Sequence, residues 1–529
     1  MPPKYHFQSP SSCPHSKLTY TPSPHAASAG YTQPSLKTRQ DATRPAASLS
    51  ASTSSRKQKS SSLPLRPDQL RTDLDNFPAT LVLPDDDLAL DPEYPPQSFQ
   101  EWVDEEERNG VTARRKTVYV LGPPGVDGDD DSLSLDVDVD AWTRPRKTNS
   151  ATNSDTAFPA TKDVVEYLGA FYHGLPVKQL TLPNWRFTAW DEPAATQSKH
   201  ATKAKRQKTS AKTQPIGLAT STEYIRIRTR PCPDALYTTQ LNLDDLLDAA
   251  ISVLPKDAYA LCMLVHHDLF EDDDDTFVCG RAYGGSRVAV VSTARYHPGH
   301  DALQGIERGH AWPAAHCAEY LEDVCRPSDS VGKRRKKNTS VSKGRSQSRS
   351  FGAPGNGDGP LEAALAAYTR TVTEQKPTCE TPLWLFRTAR TISHELGHCF
   401  GIDHCVYYAC IMQGSASLAE DTRQPPYLCP VDLAKVLAAT GASVDERDKA
   451  LLKFCEREEW RDESGFRAFA AWLRAWLGLQ GLGAAGGADG EVDGQEGVAG
   501  AEGNENKKDG SGSGLITESW QRLWDDFDE

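Results

Sequence analysis

The stretch HELGHCFGIDHCVYYACIM, from His394 to Met412, decides how this chain is read. His394 and His398 are four residues apart, so on a helix both imidazoles leave one face and can share a tetrahedral zinc. Glu395 lies about 100° round the helix from His394. A carboxylate there leans over a metal without ligating it, which suits a general base for a zinc-activated water. Gly401 stands where a helix ends most readily through a residue of positive φ. The chain can then double back and deliver His404 as a third ligand. Three protein ligands leave the fourth position open, the mark of a catalytic site. Leu385, Ala389, Ile392 and Leu396 form one apolar stripe on the same helix, so one face packs on a core while the other lines a cleft.

The bland alternative is a buried helix whose histidines are satisfied by hydrogen bonds. A bare HExxH recurs by chance; the added glycine, third histidine and methionine make the pattern specific. Downstream, Cys405 follows the third histidine directly, then come Cys410, Met412-Gln-Gly-Ser415 and Cys429-Pro-Val-Asp432. With these residues the chain resembles the archaemetzincins, a family of metzincin-clan zinc metallopeptidases. Supporting pieces are Asp91 to Pro96 (DPEYPP), Ala170 to Val177 (AFYHGLPV), Tyr237 to Leu241 (YTTQL) and Arg287 to Tyr296 (RVAVVSTARY). The resemblance covers, in patches, about 90–440.

The resemblance implies a catalytic zinc on His394, His398 and His404, with Glu395 as general base. It makes Met412 a Met-turn, an apolar floor beneath the zinc histidines that does not bind metal. It also implies a second, four-cysteine zinc site ending in a CxxC pair. This chain departs from that pattern, because the last cysteine is Asp432. Aspartate binds zinc through oxygen, but the site loses softness. Cys405, Cys410 and Cys429 with Asp432 are therefore read as a Cys3Asp site, as three ligands completed by water, or as plain buried thiols.

Outward from this core, much of the chain is poor in apolar residues. Of 529 residues only 38% are hydrophobic, and mean hydropathy is −0.58. Residues 1–75 read as a disordered Ser/Pro-rich region, since few apolar side chains there offset the entropy of ordering. Residues 76–478 read as one catalytic domain with low-complexity insertions at about 196–215 and 327–358. Residues 479–529 read as an acidic, Gly-rich tail.

The net charge of −14 makes the chain as a whole a poor polyanion binder, so nucleic acid is not an expected partner. Basic runs at 199–212 and 333–337 are local exceptions, read as import or nucleic-acid segments or as solvated loops. The acidic run from Glu271 to Asp275 lacks the spacing of an EF-hand loop and reads as an exposed turn. No secretory signal or membrane span is visible. Twelve cysteines without a signal point to thiols and metal in a reducing compartment, cytoplasmic or nuclear and not secreted.

The periodicities predict strands at Thr117 to Leu121, Tyr224 to Arg230, Ala258 to Val265 and Val288 to Ser292. They predict helices over 162–173, 243–254, 361–372, 382–400, 431–439 and within 445–478. Strands alternating with helices indicate an α/β fold. By resemblance it is metzincin-like, a twisted mixed sheet over the active-site helix. The function expected is that of a monomeric, zinc-dependent peptidase acting on peptide or protein substrate, and the family hints at aminopeptidase-like action on short peptides. The rival is a non-catalytic zinc module whose basic loops recruit a partner or nucleic acid, with a cysteine such as Cys399 closing the shell. Glu395 argues against the rival, since a structural site has no use for it.

Overall fold

A computed structural model describes residues 13, 15, 17–45, 76–126, 138–146, 156–190, 214–326, 359–373 and 380–479. Its central sheet has five strands: β1 (Thr117–Leu121), β2 (Val177–Leu180), β3 (Ala258–Val265), β4 (Gly280–Tyr283) and β5 (Val288–Ser292). Their spatial order is β4-β5-β3-β1-β2. All neighbours run parallel except the edge strand β4, which is antiparallel to β5. Every residue of β3 and β5 is buried, as expected of strands covered on both faces.

The period of two divides these strands between two cores. Val118, Val120, Ala260, Cys262, Leu264, Ala289 and Val291 point into the larger core, where they meet the predicted stripe Leu385, Ala389, Ile392 and Leu396. Leu261, Met263, Val265, Val288 and Val290 point into a second core with Leu243, Leu246, Leu247 and Ala250. Helices α1 (Thr161–Phe171), α2 (Leu243–Ser252), α3 (Pro360–Thr373), α4 (Thr381–Cys399), α5 (Pro430–Thr440), α6 (Val444–Cys455) and α7 (Ser464–Leu479) complete a mixed α/β architecture. Asn242 caps α2 by accepting the Asp245 amide at 3.2 Å. Helix α4 carries Pro382 in its first turn and is followed by Gly401 at φ +72°.

Two expectations change. Residues 17–45, assigned by composition to a disordered region, are packed on the domain. Three of their apolar groups, Ala26, Tyr31 and Ala42, are buried, while Leu36 stays exposed. Tyr31 Oη donates to Val406 O at 2.7 Å and Gln33 Nε2 to Tyr407 O at 3.0 Å. Average composition misses a segment that supplies little core but many specific anchors. Likewise, the single strand expected from Tyr224 to Arg230 is divided into Tyr224–Ile227 and Thr229–Pro231, which lie in different small sheets. Between them Arg228 turns away: its amide donates to Asp245 Oδ2 at 2.6 Å and its guanidinium to Asp245 Oδ1 at 2.8 Å. The expected insertions fall outside the described residues apart from 214 and 215, as do both basic runs and 480–529. The acidic run is an exposed turn in which Asp272 accepts the Asp274 and Asp275 amides. Among the described residues no helix is long and apolar enough to cross a membrane.

Candidate metal centres

Helix α4 packs its stripe beneath the sheet, which leaves His394 and His398 half-buried on the other side. The turn after Gly401 brings His404 to them, and one ring nitrogen from each of the three lies within 4.8 Å of the others. His394 Nδ1 is 2.8 Å from Ile411 O, and His398 Nδ1 is 2.7 Å from Ile402 O. A carbonyl only accepts, so each Nδ1 carries the proton and each Nε2 presents a lone pair. These two Nε2 atoms face each other at 3.0 Å. Burial foremost, and the neighbouring imidazoles, hold His394 well below the ordinary histidine range and His398 at about 4; burial lowers His404 too. Three neutral imidazoles with converging lone pairs fit a zinc ion.

Glu395 is 8% exposed, and burial pushes its carboxyl up to about 8 against the opposing field of Arg281. Arg281 sits on the edge strand β4 and pairs with Glu271. Beyond β4 the chain comes so near α4 that a Cβ at Gly284 would stand 2.7 Å from His398 O. Met412 is fully buried beneath the histidines, where a Cβ at Gly397 would meet its sulfur. Its carbonyl accepts the Cys405 amide at 2.7 Å, which closes the loop carrying His404.

The second expected group is also assembled. Cys405, Cys410, Cys429 and Asp432 are buried, with donor atoms within 4.8 Å of one another. Cys405 Sγ and Cys429 Sγ are 3.5 Å apart, and Asp432 Oδ2 lies 3.3 Å from Cys410 Sγ and 3.5 Å from Cys429 Sγ. Asp432 Oδ1 takes a different partner: buried Lys435 donates to it at 2.9 Å. One carboxylate oxygen is thus fixed by an ammonium while the other faces three sulfurs. Burial and then the Cys405 sulfur push Asp432 up to about 7, opposed by Lys435. Three soft donors and one hard one in a dry pocket fit a structural zinc.

Several supporting residues carry no signal in the sequence. Tyr94 lies against His404, with ring centroids 5.6 Å apart. Gln97 binds the loop between the second and third histidines, donating to Gly401 O at 3.0 Å and accepting the Asp403 amide at 3.2 Å. The same Gln97 accepts Lys435 Nζ at 2.8 Å through both its carbonyl and its side-chain oxygen, so one residue bridges the two groups. Tyr94 lies within the DPEYPP segment and Gln97 directly follows it; Arg281 and Lys435 had only their place in the fold to announce them. Cys399, the residue needed to close a non-catalytic shell, is buried on the sheet side of α4 beside Cys262 and does not join the histidine donors. Tyr407, Tyr408 and Tyr427 are core residues; Tyr427 stacks on Trp472 at 4.4 Å.

Parts of the chain are similar to known sequences. Residues 368–436 match the family model described as peptidase family M54. Archaemetzincin-2 of Homo sapiens is 46% identical over 78 residues, 15% of this chain and 22% of that protein. Archaemetzincin-1 of Homo sapiens is 36% identical over 227 residues, 43% of this chain and 36% of that protein. The chain thus spans about a fifth to a third of the length of the curated relatives it matches. Among solved structures, archaemetzincin from Methanopyrus kandleri is similar at 15% identity and TM-score 0.25, over 61% of this chain and 95% of that one. The stretch holding the three histidines matches the model of peptidase family M54, and over part of its length the chain is similar to archaemetzincins.

Proposed function

We propose that the protein is a zinc-dependent metallopeptidase, with His394, His398 and His404 as ligands of one catalytic zinc and Glu395 as general base. One observation carries this reading: the two helical histidines have their Nδ1 protons tied to backbone carbonyls, so both Nε2 lone pairs converge beside a desolvated carboxylate. A bound zinc supplies the Lewis acidity that polarises the scissile carbonyl and acidifies the attacking water. Glu395 accepts the proton of that water on its carboxylate and returns it to the leaving amine nitrogen. Its buried setting raises the carboxyl's proton affinity, which favours uptake of that proton. Tyr94 and Gln97 hold the His404 loop, and Met412 supports the histidines from below. The substrate is a peptide or protein. An extended segment can lie along the sheet edge at β4, where Arg281 stands paired with Glu271.

Cys405, Cys410, Cys429 and Asp432 hold a second, structural zinc in this reading, and Lys435 orients the aspartate. In this reading the protein acts on short peptides in an aminopeptidase-like manner, as a monomer in a reducing cytoplasmic or nuclear compartment. The test is cleavage of a peptide library by reduced, zinc-loaded protein, with Glu395→Gln as control. The variant is expected to keep its zinc and lose activity by about 10²–10⁴-fold. Equal cleavage by the variant removes Glu395 from the mechanism, and no cleavage by either protein leaves the zinc-module alternative standing.

A further inference from the structure

A third group of soft donors lies apart from the two above and shares no residue with them. It is built where the N-terminal segment meets the domain. Thr19 N donates to His316 O and Ala318 N to Lys17 O, both at 2.9 Å, with Leu18 bridged antiparallel to Cys317. This pairing carries Cys13 to Cys317, and their sulfurs are 3.2 Å apart. That separation is well beyond the roughly 2.05 Å of a disulfide. His15 has left-handed backbone at φ +46°, unusual for a residue with a Cβ, and stands edge-on to His310 at 5.1 Å between ring centroids. Donor atoms of Cys13, His15 and His310 lie within 4.8 Å of one another.

The two imidazoles supply the telling observation. Nε2 of His15 and Nε2 of His310 are both buried and have no hydrogen-bond partner. Burying a polar nitrogen unpaired costs on the order of 1–3 kcal/mol, so two at one place beside a pair of thiols call for a shared partner. His310 is also oriented as a ligand would be. Its Nδ1 is 3.0 Å from Glu307 Oε1, and its ring stacks on Tyr320 at 4.0 Å between centroids. Glu307 thus stands behind the distal nitrogen within ion-pair range, although without the geometry of a hydrogen bond.

We infer that Cys13, His15 and His310, with Cys317 as fourth donor, form a third metal site selective for a soft divalent ion, zinc foremost, that clasps the N-terminal segment to the domain. Cys317 Sγ groups with Cys13 and Glu319 and not with the two imidazoles, so it completes the shell by a movement of its thiol. Two thiolates and two neutral imidazoles then balance the charge of a dication and leave no position open, as in a structural site. Glu319 Oε2, 2.9 Å from Cys317 Sγ, accepts from that thiol and competes with the metal for it.

Zinc analysis of reduced, full-length protein decides the point, comparing wild type with Cys13→Ser/His15→Ala. The double variant is expected to hold one zinc fewer per chain. Its cobalt-loaded form is expected to lose part of the thiolate-to-cobalt absorption. His15→Gln is the milder second variant, for use if the double variant does not fold. It is expected to release one equivalent to a chelator that leaves the wild type intact. Unchanged zinc and unchanged cobalt absorption in the variants overturn the site. So does a Cys13–Cys317 disulfide found by mass spectrometry in protein isolated without reductant and holding its full zinc complement.

Discussion

The sulfur of Met412 lies directly under Gly397, between the two helical histidines, and a Cβ at that position would overlap it. Hydrogen in place of a side chain is what lets the Met412 loop close against α4. The two histidines and the third therefore share a floor whose height is set by one missing methyl group.

Gly397→Ala is expected to destabilise the protein by about 1–3 kcal/mol, the usual cost of overfilling a packed site. It is also expected to weaken zinc binding, because the displaced methionine carries the carbonyl that holds Cys405. Met412→Leu conserves volume and is expected to cost less than about 1.5 kcal/mol. Melting curves and zinc affinity for both variants test the pair; a Gly397→Ala protein as tight for zinc as the wild type refutes the shared floor.

The Asp432–Lys435 pair makes a sharper forecast for the second group. Both side chains are 1% exposed, and stripping one partner from a buried pair costs about 3–5 kcal/mol. Asp432→Cys alone restores a sulfur but strands the Lys435 ammonium. The double change Asp432→Cys/Lys435→Met is expected to retain metal longer under a chelator than wild type, and the single change to melt earlier. Identical chelator kinetics for all three proteins would falsify a metal at these residues.

Removing residues 1–45 is expected to lower the melting temperature by several degrees. It deletes the Tyr31 and Gln33 hydrogen bonds to the 406–407 backbone and the contact of Arg39 with the Tyr408 ring at 4.6 Å. That backbone lies between the His404–Cys405 pair and Cys410, so zinc retention is expected to fall with stability. Differential scanning calorimetry of the truncated chain checks this, and an unchanged transition shows the segment to be dispensable.

Acid is expected to weaken the fold through histidines outside the His394, His398 and His404 group. Burial holds His267, His300 and His316 at about 4, below the 6.5 of an exposed imidazole. A base depressed in the folded state is proton-poor there, so the unfolded chain binds more protons as the pH drops. The associated stability is complete above about pH 6.5 and is lost progressively down to about 4, by up to about 1.4 kcal/mol per pH unit for each group. His316 Nε2 donates to Ala79 O at 3.3 Å, a bond a glutamine amide can keep. His316→Gln is expected to flatten the decline of melting temperature between about pH 6.5 and 4.5, with zinc content followed in the same samples.

What the sequence discloses is the part governed by spacing along one element. The α4 stripe, both helical histidines, the Gly401 turn and His404 follow from periods of a single helix and one turn. Strands β1, β3 and β5 follow from β-branched runs. Edge strand β4 does not, because Gly280-Arg-Ala-Tyr283 has neither alternation nor a β-branched residue; it is a strand through pairing with β5. The break at Arg228 is equally silent, since it arises from a carboxylate on α2. The N-terminal anchors escape for a third reason: bulk composition averages away a handful of well-placed side chains. Tyr94, Gln97 and Lys435 matter through where folding carries them.

All the donors of the first two groups fall between His394 and Asp432, whereas the backbone packed against His398 comes from the Gly284 turn after β4, far upstream in the chain. Gathering the donors closes short loops; bringing Gly284 against His398 closes a long one, which forms later and opens sooner. Metal capture and cleft formation are thus separable events in the life of the chain. Under the proposed function, a protein partly opened by heat or denaturant can hold zinc at these two groups while no longer seating a peptide, and metal content alone then overstates the fraction of working molecules.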